Sequence, residues 1–150
     1  MSIFGTLALI FVPGLVVTVL WSPILLIGRF RALFARLPPI RSTIVNYCLV
    51  SLALSIPFVV GTTIVFTTTS TEGADLSNTL LNMAVLLAAT YGIVLPLAAG
   101  FGLPRLGIDW DPTGYGPGTW LLLVGAVLWY IVVFVVPLAF FAFVLALPTG

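Results

Sequence analysis

Apolar positions in this chain run together in blocks instead of alternating with polar ones. Residues 3–27, 44–66, 80–103 and 120–147 form stretches of 25, 23, 24 and 28 residues without one charged side chain. A helix rising 1.5 Å per residue needs about 20 residues to cross a hydrocarbon layer roughly 30 Å thick. Each block is therefore long enough to span a bilayer. The expected fold is all-α, a polytopic membrane protein built as one four-transmembrane-helix bundle over residues 1–150. The first block lacks the basic leader and the short apolar core of a signal peptide, so it is read as a membrane helix.

Every block carries a proline: Pro13 and Pro23 in the first, then Pro57, Pro96 and Pro137. A proline inside a helix removes one N–H donor and leaves the carbonyl four residues earlier without its partner. The carbonyls of Leu9, Ala53, Gly92 and Val133 thus need partners within the protein, and proline-kinked helices are expected.

The connections set a direction. Residues 28–43 hold Arg29, Arg31, Arg36 and Arg41 and no acid, whereas residues 67–79 hold Glu72 and Asp75 and no base. Cytoplasmic loops carry the Arg and Lys excess. The expectation is a multi-pass protein of the cell membrane with the Arg-rich loop cytoplasmic and both termini outside. Within that loop, Phe30, Leu33, Phe34 and Leu37 share one arc of a helical projection, with Arg29, Arg31 and Arg36 at its edges. This pattern predicts a short interfacial helix, its rings toward acyl chains and its guanidinium groups, with that of Arg41, toward anionic headgroups. Pro38 and Pro39 end it.

The second connection is small and polar, with Asp75 or Ser77 placed to cap the next helix. In the third, Asp109, Asp111, Thr113 and Gly114 match the first half of a calcium loop, but Trp120 stands where the bidentate carboxylate belongs. The favoured reading is structural: one Asp paired with Arg105, with Trp110, Tyr115 and Trp120 in an aromatic belt.

Two constellations within the blocks invite a role. Thr18, Ser51, Ser55, Thr90, Tyr91 and Tyr130 project to the middle of the membrane, where their hydroxyls either bond between helices or line a small pocket. Ala84, Ala88, Gly92, Pro96 and Gly100 recur at a spacing of four, a small-residue stripe that admits close approach of another helix of this chain or of a partner.

Composition narrows the chemistry. The protein has no His, no Lys and a single Cys, Cys48, which removes the usual ligands of haem and zinc, an internal disulfide and a Schiff-base lysine. No Asp, Glu or Arg falls within any block, although coupled transporters normally place ionisable groups there. The expected function is non-enzymatic, without cofactor or metal and without nucleic acid as a partner. The leading reading is an accessory or structural subunit of a membrane complex, in contact with membrane lipids and with other subunits or itself. The alternative is a small homo-oligomeric channel or facilitator with an uncharged, hydroxyl-lined pathway.

Overall fold

The computed structural model describes residues 3–38, 40–69 and 73–147, with side chains from Val12 onward. Glu72 and Pro39 lie outside the described residues. Six helices are found among them: α1 Ile3–Trp21, α2 Gly28–Arg36, α3 Thr43–Thr68, α4 Ala74–Leu97, α5 Leu103–Arg105 and α6 Pro117–Ala146. No strand occurs among the described residues. Three helical stretches, Thr43–Thr68, Ala74–Arg105 and Pro117–Ala146, are long and apolar enough to cross a membrane. The segment Val12–Leu26 passes that test only together with α2, from which it is bent by 115°.

The first block ends as a regular helix at Trp21 and continues as a 3₁₀ turn over Ser22–Leu26, with Pro23 near its start. Ile27 is extended and the chain turns sharply into α2. As its pattern predicts, residues 28–36 form a short amphipathic helix across the end of the bundle. The outcome for its rings differs from the expectation. Phe30, Leu33 and Phe34 are buried against protein, facing Trp21 and Tyr47, and do not face outward. An apolar face held by neighbouring helices is stabilised without lipid, and α2 acts as a cap on that end.

The α2 cap is pinned by one residue that hydropathy alone passes over. Asn46, buried in the first turns of α3, points its amide nitrogen at the carbonyls of Phe34 (2.8 Å), Leu37 (2.8 Å) and Ile40 (2.6 Å). These are the carbonyls that helix end and turn leave without backbone partners. One side chain thus closes the connection onto the bundle.

Helix α4 carries the small-residue stripe, and the stripe faces α6 of the same chain, the broadest helix contact in the molecule. Ala84, Pro96 and Gly100 are buried, while Ala88 and Gly92 are half-buried. A spacing of four advances 400° per step, so the stripe drifts by about 40° each time and its centre turns partly away. The close contacts fall elsewhere. A Cβ on Gly100 would stand 2.5 Å from the Trp120 ring, and one on Gly14 would stand 2.7 Å from the Ser55 hydroxyl oxygen. On Gly92 the nearest atom, of Ile131, is 4.0 Å away. The close-packed glycines are therefore Gly14 in α1, Gly100 beyond α4 and Gly61 in α3, where the neighbour at 2.9 Å is the flexible Met83 side chain.

After Pro96 the helix widens into a π-helical turn over Ala98–Gly102 before α5. There the Leu103 N–H reaches back five residues to the Ala98 carbonyl. In that register the Ala99 carbonyl would receive the N–H of residue 104, which is a proline and has none. The Trp110 indole N–H supplies the bond instead, at 2.8 Å. Trp110 is therefore buried, a correction to its expected place in an aromatic belt. Arg105 likewise does not pair with an aspartate; its guanidinium lies over the Phe101 ring, 5.9 Å from the centroid. Helix α5 ends in a Schellman motif, Ile108 N–H to Leu103 and Gly107 N–H to Pro104, with Gly107 at φ 81°. At the start of α4, Gly73 occupies the cap position at φ 78°, so neither Asp75 nor Ser77 caps it.

Gly100→Ala and Gly14→Ala should each lower detergent-solubilised stability by about 1–3 kcal/mol, the range for overpacked interiors. Gly92→Ala should be neutral or mildly stabilising. Equal melting temperatures for all three variants would mean that glycine does not set these approaches.

Candidate functional site

The hydroxyl residues that the sequence singles out lie near the junction of α1, α3, α4 and α6, and an aromatic core joins most of them. Trp21, the last residue of α1, stacks on Tyr47 at 5.6 Å and meets Phe34 and Tyr130 edge-on at 6.1 and 4.9 Å. The row continues from Tyr130 to Phe134, which stacks on Phe58 at 4.5 Å, and from Phe58 to Tyr91. Aromatic side chains suit this position because each buries a large apolar body and keeps one polar tip that can seek a partner.

Those tips cross between helices. Tyr130 donates to the Ser51 carbonyl at 2.8 Å and Tyr91 to the Leu54 carbonyl at 2.6 Å. The Tyr47 hydroxyl donates to the Thr18 carbonyl, and the Thr18 and Ser51 hydroxyls lie 2.9 Å apart. The indole N–H of Trp21 reaches the Ala126 carbonyl and that of Trp129 the Leu20 carbonyl, both at 2.9 Å. Ser55 bonds back to Leu52 within α3 while its side chain meets α1 at Gly14. At about 0.6 kcal/mol for each interhelical bond in a membrane protein, the six together contribute about 4 kcal/mol, so no single one holds the bundle.

The structure thus gathers Thr18, Ser51, Ser55, Tyr91 and Tyr130 and leaves Thr90 apart. Thr90 is exposed and bonds to Leu86 of its own helix. Tyr91 serves the Leu54 carbonyl and not the proline-freed Ala53 beside it. Ser51 and Tyr130 are fully buried, and among the described residues no buried side-chain nitrogen or oxygen lacks a hydrogen-bond partner. What the hydroxyls form is a hydrogen-bond-saturated junction, bordered by an apolar cavity of about 600 Å³ that Val17, Phe58 and Phe134 help to line and by one of about 230 Å³ beside Trp21 and Phe34. Tyr47, Trp21 and Asn46 belong to it and were not singled out by the sequence, because inside an apolar block they read as ordinary filling.

A second polar cluster sits at the Arg-bearing end. Asp111 is buried; one carboxylate oxygen accepts from the Thr113 N–H at 3.0 Å and the Thr113 hydroxyl at 2.8 Å, and the other from the Thr119 hydroxyl. Arg29 approaches the same threonine at 3.4 Å. Burial pushes the Asp111 carboxyl up, but these hydrogen bonds and the Arg29 charge outweigh it and hold the group below its ordinary value. The position before the first turn of α6 also favours a negative charge. Asp109 turns elsewhere: its carboxylate accepts from the Tyr115 hydroxyl at 2.9 Å, and its backbone carbonyl from Arg36 at 2.6 Å. The two carboxylates hold separate partners, and no group of three or more metal-ligating residues exists among the described residues. Of the four loop arginines, Arg29 and Arg36 are engaged by the third connection. Arg31 is exposed, and Arg41 borders an open cleft beside Arg36.

Because the folded carboxyl of Asp111 is more acidic than the unfolded one, its contribution is present above the ordinary carboxylate value of 3.8 and fades as pH falls through the depressed value. Asp111→Asn should therefore melt below wild type at neutral pH, and the gap should close in acid. The variant Asp109→Asn with Asp111→Asn should respond to calcium no differently from wild type. A gap that persists unchanged in acid, or a calcium-dependent rise in melting temperature lost in the double variant, would refute the structural role.

No curated protein and no solved structure matches this chain. Residues 1–149 match one family model, described as a domain of unknown function, DUF8162. A match over nearly the whole chain places the protein in that family.

Proposed function

We propose that this protein is a non-enzymatic, multi-pass protein of the cell membrane that serves as an accessory or structural subunit of a membrane complex. The observation that carries the reading is the saturated junction. Its hydroxyls and indoles are committed to one another's backbones, and its interior is filled by Trp21, Tyr47, Tyr130, Phe58 and Phe134. Such a bundle commits its interior hydroxyls to holding helices together, and among the described residues none of them is left over to serve a polar solute. The absence of ionisable residues from the four apolar blocks points the same way, since proton or ion coupling within one chain uses such groups.

The small-residue stripe is taken up by α6, so assembly has to use another face. The outward ridge of α6, with Leu128, Val132, Val136, Phe140 and Phe143 all exposed, is the surface available to a neighbouring subunit. In this reading the Arg-rich connection lies in the cytoplasm and both termini lie outside, following the loop charges.

Native mass measurement of the complex extracted in mild detergent tests the assignment. Recovery with unrelated membrane chains is the expected result. A pure symmetric oligomer of this chain would favour the homo-oligomeric channel instead, and a monomer would remove the assembly reading. Orientation is tested in a Cys48→Ser background by labelling single cysteines. Arg31→Cys should be shielded from an impermeant reagent in intact cells and Ala74→Cys should be labelled. The reverse pattern would invert the topology.

A further inference from the structure

Two cavities adjoin at the Arg-bearing end, and their chemistry is complementary to the two halves of a phospholipid. The first is an open cleft of about 410 Å³ between the end of α2, the turn into α3 and the residues after α5. Arg36 and Arg41 border it, with Asp109 as its one acid among the lining residues. One Arg36 N–H is held at 2.6 Å by the Asp109 carbonyl, which positions the guanidinium on the rim, and a guanidinium carries further donors in a planar fork suited to phosphate. Between the two arginines in sequence, the carbonyls of Leu37 and Ile40 both accept from the Asn46 amide. Both arginines thus border the same cleft.

The second cavity, about 230 Å³, lies directly inward and shares Leu37 with the first. Val50 and Leu54 of α3 form one wall and Leu95, Ala98 and Leu103 the opposite one, with α2 above and α6 closing the remaining side. The lining is apolar throughout, apart from the edge of Trp21, whose N–H is already bonded to Ala126. The cavity therefore lies beneath α2, among α3, α6 and the π-helical turn that follows α4.

We propose that this end binds one anionic phospholipid, its phosphate between Arg36 and Arg41 and one acyl chain in the apolar cavity beneath α2. The inference rests on the multi-pass membrane reading but not on the subunit assignment. Charge complementarity selects the headgroup: two guanidinium groups outnumber the single Asp109 carboxylate, so a net negative phosphodiester is favoured over a zwitterionic one. The adjoining apolar cavity selects a lipid over a free anion.

Binding is tested on the full chain in neutral detergent, following the melting temperature during titration with phosphatidylglycerol, phosphatidylcholine or inorganic phosphate. Phosphatidylglycerol should give a saturable rise, and the other two little change. Arg36→Gln with Arg41→Gln should weaken the phosphatidylglycerol effect by about tenfold or more, whereas Arg31→Gln, outside the cleft, should leave it intact. Ala98→Leu, which fills the apolar cavity, should also weaken it while circular dichroism and elution volume stay those of wild type. If Ala98→Leu does not fold, Val50→Leu on the opposite wall serves the same purpose. Equal responses to both lipids, an undiminished response in the double arginine variant, or an equal response to inorganic phosphate would each overturn the proposal. Failure of the membrane reading is recognised separately, by a protein that stays in solution once detergent is removed.

Discussion

Carbonyls left open where a helix breaks are met by side chains from other elements, and this pairing ties the helix ends into one bundle. In apolar surroundings an unpaired backbone group costs several kcal/mol, because no water is present to replace the lost bond. The chain breaks its helices at Trp21, at the end of α2 and at the π turn after Pro96. At each place a side chain from a different element reaches in: Trp129 and Tyr47 to the end of α1, Asn46 to the end of α2, Trp110 to Ala99. Helix irregularity and tertiary contact are thus one event, since each break is stable only where its donor is in place.

The choice of donors follows from the same constraint. A Tyr or Trp offers one polar atom at the end of a large apolar body, so it can satisfy a carbonyl and fill the space between helices together. A charged donor would carry a heavy desolvation cost at this depth. The bundle accordingly keeps its arginines at one end, where Arg29 and Arg36 tie the third connection to α2 through Thr119 and the Asp109 carbonyl. Asp111 is the one buried carboxylate among the described residues, and it sits where three hydroxyl or amide donors and a guanidinium surround it.

A junction so fully committed leaves little freedom at the centre. Among the features left for recognition are the outward ridge of α6, the paired cavities under α2, and an apolar cavity between α1, α3 and α6. The first presents only apolar surface, which suits an apolar neighbour. The second joins two arginines to an apolar slot.

The all-helical character, the four apolar blocks and the amphipathic segment after the first were legible in the sequence, because uncharged run length and helical periodicity are local properties. So was the gathering of Thr18, Ser51, Ser55, Tyr91 and Tyr130, which depth along each helix brings to a similar level. Which way a side chain faces within an all-apolar helix was not legible, because hydropathy there has no polar side to set a direction. Thr90 is one residue from Tyr91 yet turns outward, and Gly92 is half-open while Gly100 is tightly covered. The tertiary structure alone decided that α2 folds its rings onto Trp21 and Tyr47, that Asn46 closes the loop, and that Trp110 turns inward to a carbonyl that Pro104 cannot serve. Each of these depends on two segments distant in sequence meeting in space, and a one-dimensional pattern carries no record of that meeting.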